Sequence, residues 1–341
     1  MNLTLVETAQ PKTPVAPRLH NVPEPMLPAG FRLSRPTLDD ATAIYRLVAA
    51  CDTDILGHPD LTPDDIAAEL KEPGFNRDTD GWLAHDPAGR LVGWAWACRK
   101  GDSDNVDVTV VARTAEGAVA GHLWPLVQRR AVEIARELGH DRVVMDTGAY
   151  RSDAHRREQL TSQGFEHAAT FQRLRIDHEI HRVHPKAPAG VVLRTGDEGV
   201  AVRQLGHEIR NESFADHFGF VPTEYPEWAA GLEASGSHDW AQLRVVTIAG
   251  EPAAMLLGTD SFVDDENCGY VRTLGVRKRF RGRGLARYLL RLAFADDAAR
   301  GRVGTYLHVD SVGAPAVALY VSEGMRSTLV MDVWRKTLPT A

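Results

Sequence analysis

Val271-Arg-Thr-Leu-Gly-Val-Arg-Lys-Arg-Phe-Arg-Gly-Arg-Gly-Leu-Ala-Arg-Tyr-Leu-Leu290 passes from an apolar, β-leaning run through a cationic turn into a segment with helical apolar spacing. The expected order is strand, glycine turn, helix. Gly282 and Gly284 let the backbone approach a ligand closely and let successive N–H groups converge on one concavity. The helix expected from about Gly284 adds unpaired N–H groups and the positive end of its dipole. Arg277, Lys278, Arg279, Arg281 and Arg283 add formal charge at the same place. Such a turn suits a pyrophosphate. It is not G-x-x-x-x-G-K-[ST], because no Lys-Ser or Lys-Thr follows the glycines. Nor is it G-x-G-x-x-G, because Arg287 stands where the third glycine belongs.

About thirty residues further on comes Ala314-Pro-Ala-Val-Ala-Leu-Tyr-Val-Ser-Glu-Gly-Met325, followed by the strand-like Val330-Met-Asp-Val-Trp-Arg335. Ala316, Leu319 and Tyr320 fall at helical spacing, and Gly324 sits where a C-cap glycine belongs. The two stretches together resemble the GNAT superfamily of N-acetyltransferases. Arg281-Gly-Arg-Gly-Leu-Ala286 is similar to its coenzyme A loop, [Q/R]-x-x-G-x-[G/A]. Pro315, Ala316, Leu319, Tyr320 and Gly324 match N-x-P-A-x-x-L-Y-x-x-x-G-F in register, with Gly313 in place of Asn and Met325 in place of Phe. The missing Asn side chain removes one contact expected near the pantetheine arm. The resemblance implies acetyl-CoA as co-substrate, held by Leu274, Gly275 and Val276 of the strand and by Arg281, Gly282, Arg283, Gly284, Leu285, Ala286 and Arg287 of the loop. It also implies that this strand splays from its neighbour, and it assigns to Tyr320 the proton that the leaving thiolate needs.

Composition fits without deciding. The 341 residues exceed what one core usually serves, so two domains are expected. A formal net charge of −7 argues against a nucleic-acid partner, since no excess of cations is left to neutralise phosphates. Cys51, Cys98 and Cys268 are few, odd in number and without metal-ligand spacing, which suggests a reducing cytoplasm. No apolar run approaches membrane-spanning length, so no membrane partner is expected. No metal is expected either: no His-Glu-x-x-His arrangement occurs and no histidine sits with paired cysteines. The run His178, His181 and His184 is expected to face solvent.

Residues 1–29 carry Pro11, Pro14, Pro17, Pro23, Pro25 and Pro28 and read as a loosely ordered leader, with an edge strand conceivable at Leu3 to Val6. His184-Pro-Lys-Ala-Pro-Ala-Gly190 separates two segments that open alike, Phe31-Arg-Leu-Ser-Arg-Pro-Thr-Leu-Asp-Asp40 and Val191-Val-Leu-Arg-Thr-Gly-Asp-Glu198. Each continues through central strands, a long helix, a strand, a helix ending in Gly-Phe or Gly-Met, and a last strand. This reads as a tandem duplication. The expected division is a domain at 30–180, a linker at 181–190 and a domain at 191–341. The resemblance implies that each is an α/β (α+β) GNAT-like unit, a mixed, mostly antiparallel sheet flanked by helices.

Aligning Val111 with Val276 sets Glu116 opposite Arg281 and Val119 opposite Gly284. An acid repels pyrophosphate, and a β-branched residue does not readily supply a backbone with φ > 0. Leu160 stands where the second half has Tyr320. The first half is therefore expected to be a scaffold that binds no acetyl-CoA, and the second to carry the chemistry.

Transfer to an amine requires that a proton leave first, since such groups are mostly protonated at neutral pH. Three places offer a base. Asp264, Asp265 and Glu266 precede the strand Cys268–Gly275, with a solvated turn as the plainer reading. His308 and Asp310 lie two apart in Thr305-Tyr-Leu-His-Val-Asp310 and so share a face. Asp216 and His217 sit among Phe214, Phe218, Phe220, Tyr225 and Trp228, which form either a wall for an ammonium or a small core under a lid. The architecture is similar to mycothiol synthases, though the strand acid of that type is absent, with Gly269 or Tyr270 near its place. The expected activity is direct acetyl transfer to the primary amine of a small molecule. A mycothiol synthase-like activity, a protein or peptide N-terminus as acceptor, or an acyl-CoA-binding protein without catalysis, are the alternatives.

Overall fold

The computed structural model describes residues 26–178, 183–217, 220–310 and 314–341. Most of the expected leader, His181, Phe218 and Gly313 lie outside them. The chain divides into two compact units, one reaching to Val143 with Pro339–Ala341 added, the other spanning Val144–Leu338.

In the first unit, β1 (Arg32–Ser34), α1 (Ala41–Leu56), α2 (Pro63–Glu69), α3 (Arg77–Asp80), β2 (Gly81–His85), β3 (Leu91–Arg99), β4 (Asn105–Ala112) and α4 (Gly117–Glu137) follow one another. Its strands lie in the order β1-β2-β3-β4, all antiparallel. Ile44, Leu47 and Val48 of α1 bury one face against Leu83 and Trp94 of the sheet. Their spacing is that of a helix with one apolar stripe.

β5 (Arg142–Tyr150) leads into the second unit, followed by α5 (Ala154–Ser162), β6 (Glu166–Asp177), β7 (Val191–Thr195), α6 (Val200–Phe214) and α7 (Tyr225–Glu233). Then come β8 (Leu243–Ile248), β9 (Glu251–Phe262), α8 (Val263–Glu266), β10 (Cys268–Val276), α9 (Leu285–Ala299), β11 (Gly304–Asp310), α10 (Ala314–Ser322) and β12 (Arg326–Pro339). The strand order is β5-β12-β6-β11-β10-β9-β8-β7. β10 and β11 run parallel, whereas β6 pairs antiparallel with both β11 and β12.

This order separates the observed units from the division read in the sequence. β6 ends the first sequence repeat, yet it lies between two strands of the second and satisfies its backbone there. The segment from Val144 to the end of β6 therefore belongs to the second unit, and the compact boundary falls at Val143 rather than at 181–190.

The two helix ends matched in the sequence fold alike. Phe165 N–H donates to the Leu160 carbonyl at 3.0 Å, and Met325 N–H to the Tyr320 carbonyl at 3.1 Å. Gly164 and Gly324 take φ of +79° and +93°, the left-handed turn that closes such a helix.

α9 buries Leu285, Tyr288, Leu289, Leu292 and Ala293, which recur at helical spacing, against Val271, Leu307 and Val309. α6 covers the other face through Val202 and Ile209, against Val245, Met255 and Leu257. Two glycines of β10 set these approaches. A Cβ on Gly269 would stand 2.0 Å from Asp297 Oδ2, and one on Gly275 would stand 3.0 Å from Ser213 Cβ on α6. Asp297 cannot move aside, being held by Arg302 at 2.6 Å and by the Thr305 hydroxyl. Gly269→Ala is expected to lower stability by about 1–3 kcal/mol. An unchanged urea midpoint for the full chain would contradict this close approach.

Candidate functional site

Four residue pairs, Cys268↔Gly304 to Val271↔Leu307, join β10 to β11, and there the ladder stops. β11 continues through His308, Val309 and Asp310 paired to β6, while β10 continues to Val276 paired only to β9. The two strands have parted, as the resemblance implied. The parting begins where β10 carries an irregularity between Val271 and Thr273, opposite Gly258 and Leu257. A bulge redirects its strand and leaves one residue out of register, here Arg272.

Past Val276 the chain makes a 3-10 turn at Lys278–Phe280 and then takes φ of +76° at both Gly282 and Gly284. Nothing lies within 4 Å of a Cβ built on either glycine. Glycine is needed there for its backbone angle, not for space. Gly284 is the N-cap of α9 and has no side chain to satisfy the first N–H groups of that helix. The cations around the turn are not equivalent. Arg277 pairs with Glu212 at 2.9 Å, Lys278 with Asp216 at 2.9 Å and Arg279 with Glu251 at 3.1 Å. Arg287 pairs with Glu323 at 2.8 Å, tying α9 to the end of α10. Arg281 instead donates to the Val276 carbonyl at 3.1 Å, and Arg283 lies over the Phe280 ring at 5.3 Å. Among the described residues neither meets a carboxylate, so both charges remain available to an anion.

Tyr320 is buried in the cluster of α9, β10 and β11, and its hydroxyl has no hydrogen-bond partner among the described residues. Burial pushes the phenol up to about 12. On the α6 face, Ser213 Oγ is buried beside Gly275 and without a partner among the described residues.

The base candidates separate. Asp216 is exposed and bound to Lys278, which holds its carboxyl below the usual carboxylate range and leaves it a poor proton acceptor. His217 stacks on Phe214, with ring centroids 4.7 Å apart. The aromatic group around them divides: Trp228 joins the core under α7 with Tyr225 packed on it, while Phe214 and Phe220 stay together at 6.1 Å. Asp264, Asp265 and Glu266 are exposed, as the plainer reading has it, and the Glu266 carboxylate accepts from Tyr306 Oη and from Arg175 at 3.1 Å. His308 is exposed at the fork on the α6 face, with Asp310 on the same side of the strand. His308 Nδ1 lies 2.9 Å from Tyr270 Oη. That contact is absent from the sequence reading, since it depends on the register of two strands 38 positions apart.

Two expectations about reactivity and exposure can be placed. Cys268 is buried, which pushes its thiol up to about 11, so it is no thiolate nucleophile at neutral pH. His184 is exposed as expected and lies 2.9 Å from Asp296, whereas His178 is half-buried and hydrogen-bonds Thr305 at 2.8 Å. No group of side chains suited to hold a metal occurs among the described residues. No helix among them is long and apolar enough to cross a membrane.

In the first unit the corresponding turn is built differently. β4 ends at Ala112, and Glu116 caps α4 with φ of −103°. Gly117 is right-handed at φ of −55°, and Val119 is fully buried. The turn has no left-handed pair, and Glu116 stands at the start of α4.

Residues 206–325 match the model of the acetyltransferase (GNAT) family. A GCN5-related N-acetyltransferase from Sphaerobacter thermophilus superimposes with a TM-score of 0.78 at 22% identity, over 92% of this chain and 98% of that one. A tandem GNAT protein from the clavulanic acid biosynthesis pathway does so with a TM-score of 0.67 at 15% identity, over 91% and 99%. A glucosamine N-acetyltransferase region of a fungal multi-domain β-N-acetylglucosaminidase gives 0.68 at 17% identity, over 91% of this chain and 38% of that one. No curated protein matches by sequence. The fold is that of the GNAT acetyltransferases.

Proposed function

Because residues 206–325 are a GNAT acetyltransferase domain, whose chemistry is acyl transfer from coenzyme A, we propose that this chain moves an acetyl group from acetyl-CoA directly to the primary amine of a small molecule. The fork between β10 and β11 would be the reaction site, with one acetyl-CoA bound per chain. The observation that carries this reading is the left-handed pair Gly282 and Gly284, set against two uncompensated arginines at the open end of β10. The cradle fits a diphosphate in charge and in the direction of its N–H groups. The first half, lacking both the turn and the phenol, would be a degenerate copy that serves as scaffold.

Acetyl-CoA supplies an activated thioester when bound. Leu274, Gly275 and Val276 offer the backbone of a strand that no longer pairs with β11, and an N–H there would stabilise charge on the carbonyl oxygen. Arg281 and Arg283 hold the diphosphate. Tyr320 remains protonated and would give its proton to the departing sulfur. His308, held by Tyr270, is the base the geometry favours, because Asp216 is bound to Lys278 and Glu266 to Tyr306. The absence of a reactive thiolate at Cys268 supports transfer without a covalent enzyme intermediate.

Calorimetry with acetyl-CoA and CoA release over an amine panel test the proposal. Uptake of one acetyl-CoA per chain, with turnover on at least one amine, is the expected result. Two equivalent sites, or none, would refute it. His308→Gln is expected to lower kcat/KM about 100-fold, with acetyl-CoA affinity unchanged. A retained kcat/KM would move the role of base elsewhere.

A further inference from the structure

Two arginines on the α6 side of the fork are left without carboxylates. Arg272 sits at the bulge of β10, one residue past the last pair with β11, and its side chain is exposed. It makes no hydrogen bond or ion pair among the described residues. Arg210, on the last turns of α6, donates among the described residues only to the neutral Asn211 Oδ1 at 2.9 Å and lies over the Phe220 ring at 4.8 Å. Burial and the nearby Arg272 charge both work against its proton. Arg272 also acts on Tyr270, the partner of His308.

Neighbouring arginines of this unit are matched. Arg175 pairs with Asp177 at 2.6 Å, Arg277 with Glu212 at 2.9 Å and Arg302 with Asp297 at 2.6 Å. A chain with 46 acidic residues against 39 basic ones has acids to spare. Leaving two mutually repelling guanidinium groups without carboxylates beside Tyr270 and His308 is unfavourable until an anion arrives.

We propose that the acceptor carries an oxyanion, a carboxylate or a phosphate, that binds between Arg272 and Arg210 while its amine faces Tyr270 and His308. The proposal rests on the acyl-transfer reading and names the class of its acceptor. This pair is not the diphosphate cradle. Arg272 and Val276 are four residues apart on one strand, roughly 13 Å at ~3.3 Å per residue, and the glycine turn lies beyond Val276. The two cationic sites thus hold different ends of the reaction, one for each substrate. A planar guanidinium meets either oxyanion with two parallel N–H donors, which a neutral amide cannot reproduce.

The test is CoA release by the full chain over matched acceptors. One arm compares amino acids with their carboxamides and with the corresponding decarboxylated amines. The other compares phosphoethanolamine with ethanolamine. In the arm that matches the natural anion, kcat/KM is expected to favour the charged acceptor about 10–100-fold, the range of a charge-assisted pair. Arg272→Gln should shrink that preference towards one, and Arg272→Lys should restore part of it. Arg210→Gln is the second variant, and acetyl-CoA titration checks that each has folded. Preferences near one in both arms, or a preference that survives both glutamine variants, overturn the inference while acyl transfer stands. If acetyl-CoA binds but no acceptor releases CoA, the acyl-transfer reading fails and takes this inference with it.

Discussion

Gly284→Val is expected to weaken acetyl-CoA binding about 10–100-fold, and Glu116→Arg is expected to leave it unchanged. Gly284 holds φ of +76° with open space where a Cβ would go, so the Cβ itself would meet nothing within 4 Å. The cost lies in the backbone. A β-branched residue in the left-handed region is an outlier, and holding it there costs about 1–3 kcal/mol. The unliganded loop relaxes to avoid that strain, which turns the N–H groups of the turn away from their common focus. Binding must then supply the strain energy, which weakens affinity about 10–100-fold for each residue so affected. Arg283 and the first turn of α9 flank Gly284 and lose their alignment with it. Fold stability should change little, since the loop is exposed. Titration calorimetry with acetyl-CoA reads the affinity, and a thermal melt reads the fold. Glu116→Arg removes the acid from the first unit's turn but does not create the left-handed pair. If Glu116→Arg changed affinity, or Gly284→Val bound like wild type, the cradle would have been put in the wrong half or on the wrong atoms.

Much of this site is legible in the sequence because its demands are local. A positive φ calls for glycine, so Gly282 and Gly284 announce the turn before any partner is known, and Gly324 announces the end of α10. Tyr320 follows from the same motif register. Other parts depend on which strands lie side by side, and alternation along a strand reports its faces but not its neighbours. β6 and β12 have equivalent places in the repeats, so nothing local says that β6 inserts between β11 and β12. The hydrogen bond between Tyr270 and His308 needs the parallel register of β10 and β11, and the position of Arg272 needs a bulge with no residue signature. Gly269 looks like a weak point in a strand until Asp297, 28 positions later, is seen packed on it. Asp216 misleads for the opposite reason: its aromatic neighbours are near in sequence, whereas Lys278, which occupies it, is not.

Tyr320→Phe should lower kcat about 100- to 10,000-fold while leaving acetyl-CoA affinity within about twofold. The substitution deletes one oxygen and keeps the ring that packs between α9 and β11, so the core loses almost nothing. Among the described residues no hydrogen bond is broken, because the hydroxyl has no partner there. What is lost is a proton donor, and positioned proton transfer contributes about that range of rate. The sign of the titration sharpens the test. Burial raises the phenol to about 12, so the neutral, donating form persists through the working range and is lost only as the pH climbs through that value. The wild-type kcat should therefore show no descending limb from this group up to about pH 10, where an unburied tyrosine would already be half ionised. A thiol of a better-leaving acyl donor needs the proton less, so the deficit of Tyr320→Phe should shrink with such a donor. A deficit that is the same for every donor, or a variant that binds acetyl-CoA poorly, would make Tyr320 a packing residue and return the leaving-group proton to solvent.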